Sequence, residues 1–262
     1  MHVALSVCSL QLAGFYFMRI PMDLLLVAFT FLAAISGYNF VKYAERARWY
    51  HKSLPVELRR IQIFSLICFI ALVAIGLMLP VLTMAGFAAL ALLTMFYVIP
   101  MLPQAKNLRN LAGIKIFVVA LVWAATAVAI PLWHAQISPQ ADDYILFTQI
   151  FLLVFALTIP FEIRDLHIDE VQLKTLPQIL GVDKSRYLGM IAVILAAALD
   201  AFKDDFFFVS NVYWLGLALL SVYALLKSKK QQSEYMASFW IEAIPIAGFL
   251  FLLAFDFALF FG

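Results

Sequence analysis

Four acidic residues lie close together at the end of a long apolar run. Glu162, Asp165, Asp169 and Glu170 follow the apolar stretch from 144 to 160. If a helix continues through them, Glu162, Asp165 and Asp169 share one face, because they are spaced three and then four residues apart. Asp165 and Asp169 are then ~6 Å apart along the axis, given a rise of ~1.5 Å per residue. Two carboxylates this close repel each other and favour a bound cation, so the spacing predicts a magnesium–diphosphate site.

The composition is that of an integral membrane protein. Of 262 residues, 65% are hydrophobic and only 13% are charged, and the mean hydropathy is +0.98. These values exclude a soluble domain of ordinary composition and indicate an all-α, polytopic membrane protein. No linker or low-complexity segment divides the chain, so we expect one domain over residues 1–262. Cys8 and Cys68 both lie in apolar runs, which predicts neither a disulfide framework nor a metal site.

Apolar runs punctuated by charge or proline predict nine transmembrane helices. These runs cover residues 2–18, 21–42, 59–79, 81–101, 111–133, 143–163, 185–201, 207–227 and 236–260. The connections after the second, fourth, sixth and eighth runs hold 16 of the 18 basic residues, and the alternate connections hold only Arg19 and Lys203. Because basic loops stay in the cytoplasm, the N-terminus is predicted inside and the C-terminus outside a plasma or inner membrane. Asp200 and Asp256 then lie near the outer surface, where we expect simple end charges.

One part of the acidic stretch resembles a known motif. Arg164-Asp165-x-x-x-Asp169, followed by Lys174-Thr175-Leu176-Pro177 and Leu180-Gly181, looks like the second aspartate-rich motif of the UbiA-type intramembrane prenyltransferases. The nine predicted spans, and a motif segment after spans two and six, extend this similarity over essentially the whole chain. The resemblance implies nine helices around a central cavity. It also implies Mg²⁺-dependent transfer of an isoprenyl group from its diphosphate to an aromatic, quinone-precursor or other lipid acceptor, near the cytoplasmic face.

The first motif of that family is altered in this chain. The family pattern is Asn-Asp-x-x-Asp-x-x-x-Asp, of which Asn39 is present. The acid positions are occupied by Phe40, Tyr43 and Ala47. The resemblance therefore implies a reduced metal site in which Asp165 and Asp169 are the catalytic ligands and Glu162 or Asn39 assists, since Mg²⁺ often takes only one or two protein carboxylates. For Asn39 the alternative is an amide that bonds across two helices, and for Glu162 an ion pair with a neighbouring cation.

Basic side chains on the predicted cytoplasmic side are candidates to bind the diphosphate, because such an anion needs cationic donors. They are Lys42, Lys106, Arg109, Arg164 and Lys174. Glu242 lies six residues into the last run. A carboxylate at that depth costs on the order of a few kcal/mol if it faces lipid. We expect Glu242 either to face the cavity, where it could bind the acceptor or act as a base, or to pair with a cation.

Two other functions stay open. The altered first motif permits a non-catalytic prenyl-lipid binder, and Glu242 together with the acidic stretch permits an ion-coupled secondary transporter, although no inverted repeat is visible. The expected partners are an isoprenyl diphosphate, a lipophilic acceptor and membrane lipid. No nucleic acid is expected, and no protein partner can be inferred.

Overall fold

The protein is all α-helical in the part that the computed structural model describes. That part comprises residues 1–49, 56–98, 114–166, 175–204, 208–233 and 235–255, with the side chains of 40–49, 56–59 and 96–98 excepted. In chain order its helices are α1 (His2–Phe17), α2 (Leu24–Trp49), α3 (Val56–Gly76), α4 (Val81–Val98), α5 (Ile114–Ala135), α6 (Ala141–Asp165), α7 (Leu176–Leu180), α8 (Val182–Leu199), α9 (Phe208–Lys227) and α10 (Met236–Phe255). Helix α2 runs to Trp49 rather than ending at residue 42, because residues 42–49 contain no glycine or proline to stop it.

The apolar helices confirm an integral membrane protein. Five of them, α5, α6, α8, α9 and α10, are long and apolar enough to cross a membrane. The apolar portions of α1, α2, α3 and α4 are shorter, at 10–17 residues. In the described residues, each predicted apolar run overlaps one of these helices. That all nine cross the membrane stays a prediction, as does their orientation.

Six helices close a ring. Helix α1 packs against α5 and α10, α6 packs against α5 and α8, and α9 packs against α8 and α10. Helix α2 lies against α1 on the outside of this ring, α3 lies against α2, and α4 lies against α5. One continuous apolar core runs through the ring, centred on side chains of α5 and α6 that are almost fully buried, such as Ile116, Ile150 and Leu153. The expected arrangement was nine helices around a central cavity, and the described contacts show a ring of six in which α6 also contacts α9 and α10. A nine-helix ring and its central cavity stay predictions.

The contact between α1 and α5 is unusually close. Helix α5 contains a π-helical turn, Ala125–Ala129, and this turn packs against α1. A Cβ atom on Gly14 would lie 2.1 Å from the carbonyl oxygen of Ala127. Nearby, Gln11 Nε2 donates a hydrogen bond to the Thr126 carbonyl oxygen at 3.3 Å. Only glycine permits this approach, because any larger side chain must push the two backbones apart.

Asp200 and Lys203 form a buried ion pair at the turn between α8 and α9. Lys203 Nζ lies 2.6 Å from Asp200 Oδ1, and their side chains are 9% and 2% exposed. Ser210 Oγ donates to the same oxygen at 2.8 Å, and Gln149 Nε2 at 3.2 Å. Desolvation lowers the pKa of Lys203, while the hydrogen bond and charge of Asp200 oppose that shift. Asp200 is thus more than the end charge expected of it, since it links α6, α8 and α9.

Replacement of Gly14 by alanine should destabilise the protein by about 1–3 kcal/mol, because the added methyl group overpacks the α1–α5 contact. Thermal unfolding in detergent micelles measures the effect. Gly216→Ala in α9 is the matched control, since a Cβ there meets no atom within 4 Å. The control should be neutral or slightly stabilised, as alanine favours helix. Equal melting temperatures for the two variants would contradict the close contact.

Lys203→Met should lower the free energy of unfolding by about 3–5 kcal/mol, because it leaves the Asp200 carboxylate buried without its cation. The double variant Asp200→Asn with Lys203→Met removes both charges and should recover part of that loss. Unfolding in detergent at neutral pH compares the two. The single variant Asp200→Asn completes the comparison. If the stability loss of the double variant equals the sum of the losses in the two single variants, the two charges do not interact.

Candidate functional site

Helix α6 carries the first two acids of the acidic stretch. The helix continues past the apolar run and ends at Asp165, so Glu162 and Asp165 lie on adjacent turns of one face. Pro160 is inside this helix. Its carbonyl oxygen accepts a hydrogen bond from Gln232 Nε2 at 3.0 Å, which ties the segment between α9 and α10 to the end of α6. Asp169 lies outside the described residues, and its distance from Asp165 stays a prediction.

Glu162 is buried and bonded to backbone. The residue is only 1% exposed, and its Oε2 accepts a hydrogen bond from the backbone N–H of Leu176 at 3.1 Å. Leu176 is the first residue of α7. A carboxylate there satisfies a backbone donor that the helix itself leaves without a partner. Glu162 therefore joins the end of α6 to the start of α7.

Asp165 is held differently, at the boundary with solvent. Arg164 Nε donates to Asp165 Oδ1 at 2.7 Å, and Arg164 Nη2 donates to Oδ2 at 3.1 Å. Both side chains are 24% exposed, and the guanidinium carbon lies 5.3 Å from the centre of the Phe161 ring. A carboxylate has about four lone-pair positions, so two bonds to arginine leave capacity for a cation. Asp165 is thus a carboxylate that an ion carrying water can reach.

Asn39 bonds to the neighbouring helix. Its Nδ2 donates to Ser65 Oγ at 2.7 Å, and Ser65 Oγ donates in turn to the carbonyl oxygen of Ile61 at 2.8 Å. This bond joins α2 to α3 and is the cross-helix role that the sequence leaves open for an asparagine in a membrane helix. The amide nitrogen is therefore used within the bundle, and a ligand role for the amide oxygen stays a prediction.

Glu242 is buried near the start of α10. The residue is 8% exposed and lies directly after a π-helical segment, Met236–Ile241, where the helix changes to regular α geometry. The His2 ring of α1 lies 4.6 Å from the Phe239 ring of that segment. Burial agrees with the expectation that this carboxylate does not face lipid. Its proposed contact with an acceptor stays a prediction.

Several predicted site residues lie outside the described part of the structure. They are Lys106, Arg109, Asp169 and Lys174, together with the side chain of Lys42. Among the described residues, no group of three or more His, Cys, Asp and Glu side chains is placed to hold a metal ion. The half-buried Asp165 offers the hard oxygen donors that Mg²⁺ prefers, and Asp169 would supply the second carboxylate. The type of donor atom, carboxylate oxygen, therefore fits Mg²⁺.

A second polar cluster lies at the opposite end of the bundle, where the sequence had suggested no site. His134 Nε2 lies 2.9 Å from Asp23 Oδ2, and His134 Nδ1 lies 3.1 Å from Thr83 Oγ1. Asp23 also accepts the backbone N–H groups of Leu25 and Leu26 at the start of α2. Desolvation raises the pKa of Asp23, but these bonds and His134 outweigh it, so the pKa lies below its usual value. An aspartate just before an apolar run is a typical helix N-cap, and that signal was present in the sequence.

The Asp23–His134 pair borders a shallow, largely apolar groove of about 710 Å³. The groove is lined by Ile20, Pro21, Met22, Asp23, Leu24, Leu25, His134, Ala135 and Ile137. Both imidazole nitrogens already have protein partners, so the pair links α2, α4 and α5 rather than presenting a metal-binding histidine.

Comparison with known proteins supports the fold. No protein-family model matches the chain, and no curated protein is significantly similar to it. A solved structure of a digeranylgeranylglyceryl phosphate synthase in membranes has a similar fold, with a TM-score of 0.57. The two sequences are 20% identical, and the match covers 99% of this chain and 92% of that chain. At this identity the similarity describes the fold, and it extends over nearly the full length of both proteins.

Proposed function

We propose that the protein is a UbiA-type intramembrane prenyltransferase. It transfers an isoprenyl group from its diphosphate to a lipophilic acceptor, with Mg²⁺ as cofactor. The observation that carries the proposal is a solvent-accessible carboxylate, Asp165, at the end of α6, in a chain whose fold is similar over nearly its whole length to that of a digeranylgeranylglyceryl phosphate synthase. The aspartate-rich motif around Asp165 supplies the second, independent support.

Charge compensation at the diphosphate is the chemical task of the site. Breaking the bond between the allylic carbon and the diphosphate oxygen sends the electron pair to the leaving group and leaves an allylic cation. Asp165 and Asp169 would hold Mg²⁺, which when bound supplies positive charge for the departing diphosphate. Further donors would come from the basic residues of the same end, as in other sites that stabilise a developing anion. These are Lys42, Lys106, Arg109, Arg164 and Lys174.

Arg164 has a defined part in this scheme. Its two bonds to Asp165 fix the carboxylate orientation, and its stacking on Phe161 fixes the guanidinium. A fixed carboxylate loses little entropy when an ion binds, so Arg164 pre-organises the ligand. The acceptor then attacks the allylic cation with an electron pair that forms the new bond, and its proton passes to a base, for which Glu242 is a candidate. Glu242, buried near the start of α10, is our candidate for contact with the acceptor.

The site is proposed to face the cytoplasm. Sixteen of the 18 basic residues fall on alternate connections that include those flanking Asp165, which supports an inside N-terminus and an outside C-terminus. The diphosphate head would then meet the protein at the inner leaflet, with its isoprenoid chain in the bilayer.

A prenyl-lipid binder without turnover is the second candidate. The observation that favours it is the loss of acids at three positions of the first motif, where Phe40, Tyr43 and Ala47 stand. A site with fewer carboxylates could still hold one Mg²⁺ and a diphosphate.

Asp165→Asn and Asp169→Asn should each reduce Mg²⁺-dependent diphosphate release by at least about 100-fold, the scale seen when one electrostatic stabiliser is removed. The assay uses purified protein in proteoliposomes, an allylic isoprenyl diphosphate as donor and a total lipid extract as acceptor, with EDTA as the metal-free reference.

Asp183→Asn is the matched control. Asp183 is an exposed carboxylate at the start of α8 that pairs with Arg186 at 2.8 Å, and its loss should leave release unchanged. Unchanged release in both Asp165→Asn and Asp169→Asn would remove these acids from the mechanism. Tight Mg²⁺-dependent binding of the donor by the wild type, with no release at all, would favour the binder.

A further inference from the structure

Glu162 and Asp165 are two acids on the same helical face with opposite environments. Asp165 is 24% exposed and both of its oxygens accept from Arg164, whereas Glu162 is 1% exposed and its Oε2 accepts a backbone N–H. Mg²⁺ sheds its water reluctantly and usually keeps several water ligands. A carboxylate that is only 1% exposed is poorly suited to an ion that arrives with water. The environment of Glu162 points to a structural partner instead.

The bond made by Glu162 joins two points that are distant in sequence. Glu162 Oε2 accepts the N–H of Leu176, fourteen positions further along the chain. The segment between α6 and α7, residues 166–175, contains Asp169 and Lys174. The bond therefore holds the end of α6 and the start of α7, the two helix ends that this segment connects, next to each other.

The start of α7 is itself well ordered for this role. The backbone N–H of Thr175 donates to Gln178 Oε1 at 2.9 Å, half of a capping box in which the two residues satisfy each other's backbone groups. Pro177 is placed in the first turn, where its missing N–H is not needed. With Thr175 and Gln178 holding the turn, the N–H of Leu176 remains pointed at the Glu162 carboxylate. Movement of α7 away from α6 would break this hydrogen bond to a buried carboxylate, which is costly.

We propose that Glu162 is a positioning residue rather than a magnesium ligand. Its carboxylate fastens the start of α7 to the end of α6, and this sets the separation between the two ends of the segment that carries Asp169. The role of Asp169 as the positioned group rests on the proposed function. The hydrogen bond between Glu162 and Leu176 does not depend on any reaction.

Two substitutions separate positioning from metal binding. Glu162→Gln keeps an oxygen of the same reach for the Leu176 N–H and removes the charge that a metal ligand requires. Glu162→Ala removes both. A neutral acceptor makes a bond roughly half as strong as a carboxylate, so the glutamine variant should hold α7 nearly as the wild type does.

The first measurement is amide hydrogen exchange without metal or donor. Exchange in residues 175–180 should be about tenfold faster in Glu162→Ala, the scale for loss of a hydrogen bond to a charged group. It should be within about threefold of wild type in Glu162→Gln. Exchange in α8 serves as the internal reference, and the rate in 175–180 is taken relative to it. If the exchange rate of residues 175–180 relative to α8 is the same in Glu162→Ala as in the wild type, Glu162 does not hold α7 and the proposal is wrong.

The second measurement is the Mg²⁺ concentration that gives half-maximal diphosphate release. Positioning predicts that Glu162→Gln keeps this value within about threefold of wild type and restores most of the activity that Glu162→Ala loses. A rise of more than about tenfold in Glu162→Gln, the effect of removing a ligand or its support, would overturn the proposal in favour of direct coordination. If the wild type releases no diphosphate, the proposed function fails, and the exchange data alone still decide whether Glu162 fastens α7.

Discussion

The ion pair of Asp200 and the backbone hydrogen bond of Glu162, two buried carboxylates, are the constraint on which this structure depends. Water is excluded from the core of the bundle, and an isolated ion there carries a penalty of several kcal/mol. The buried Asp200 accordingly meets Lys203, and the buried Glu162 meets the N–H of Leu176. Asp183, at the start of α8, is instead 80% exposed and has access to water. The helices are thereby tied at both ends while the middle of the bundle packs through apolar contact.

The same constraint separates two acids that look equivalent in the sequence. Glu162 and Asp165 are three residues apart on one helix, yet burial assigns one to a backbone donor and leaves the other open at the surface. In the proposed site, Asp165 would contact the metal and Glu162 would hold the helix ends in place. In this chain the framework contact is also the connection between α6 and α7, so the acid-bearing segment starts and ends at fixed points.

Much of the fold follows from the sequence because membrane helices depend on local composition. Apolar runs place the helices, and those boundaries that lie in described residues agree to within about three residues, except where Lys42 to Arg48 lacks a stop signal and α2 continues. The helical face shared by Glu162 and Asp165 also follows from their spacing alone. These features require no knowledge of which helix packs against which.

The remaining features depend on contacts between distant parts of the chain. Asp200 and Lys203 are neighbours in sequence, but their burial depends on Gln149 of α6 and Ser210 of α9. His134 and Asp23, which bond to each other, are more than a hundred residues apart in the sequence, and no local sequence pattern predicts their contact. The π-helical turn at Ala125–Ala129 likewise follows from packing against α1 rather than from its alanine-rich sequence, which favours a regular helix.

Comparative lipid mass spectrometry tests the central claim most directly. Cells with and without the gene product are extracted and their isoprenoid lipids compared. A prenyltransferase predicts that one prenylated lipid disappears in its absence, that the unprenylated acceptor accumulates, and that the wild-type gene restores both. Identical lipid profiles in the two strains, with donor diphosphate and acceptor pools unchanged, would contradict the claim that this membrane protein joins an isoprenoid chain to a lipid.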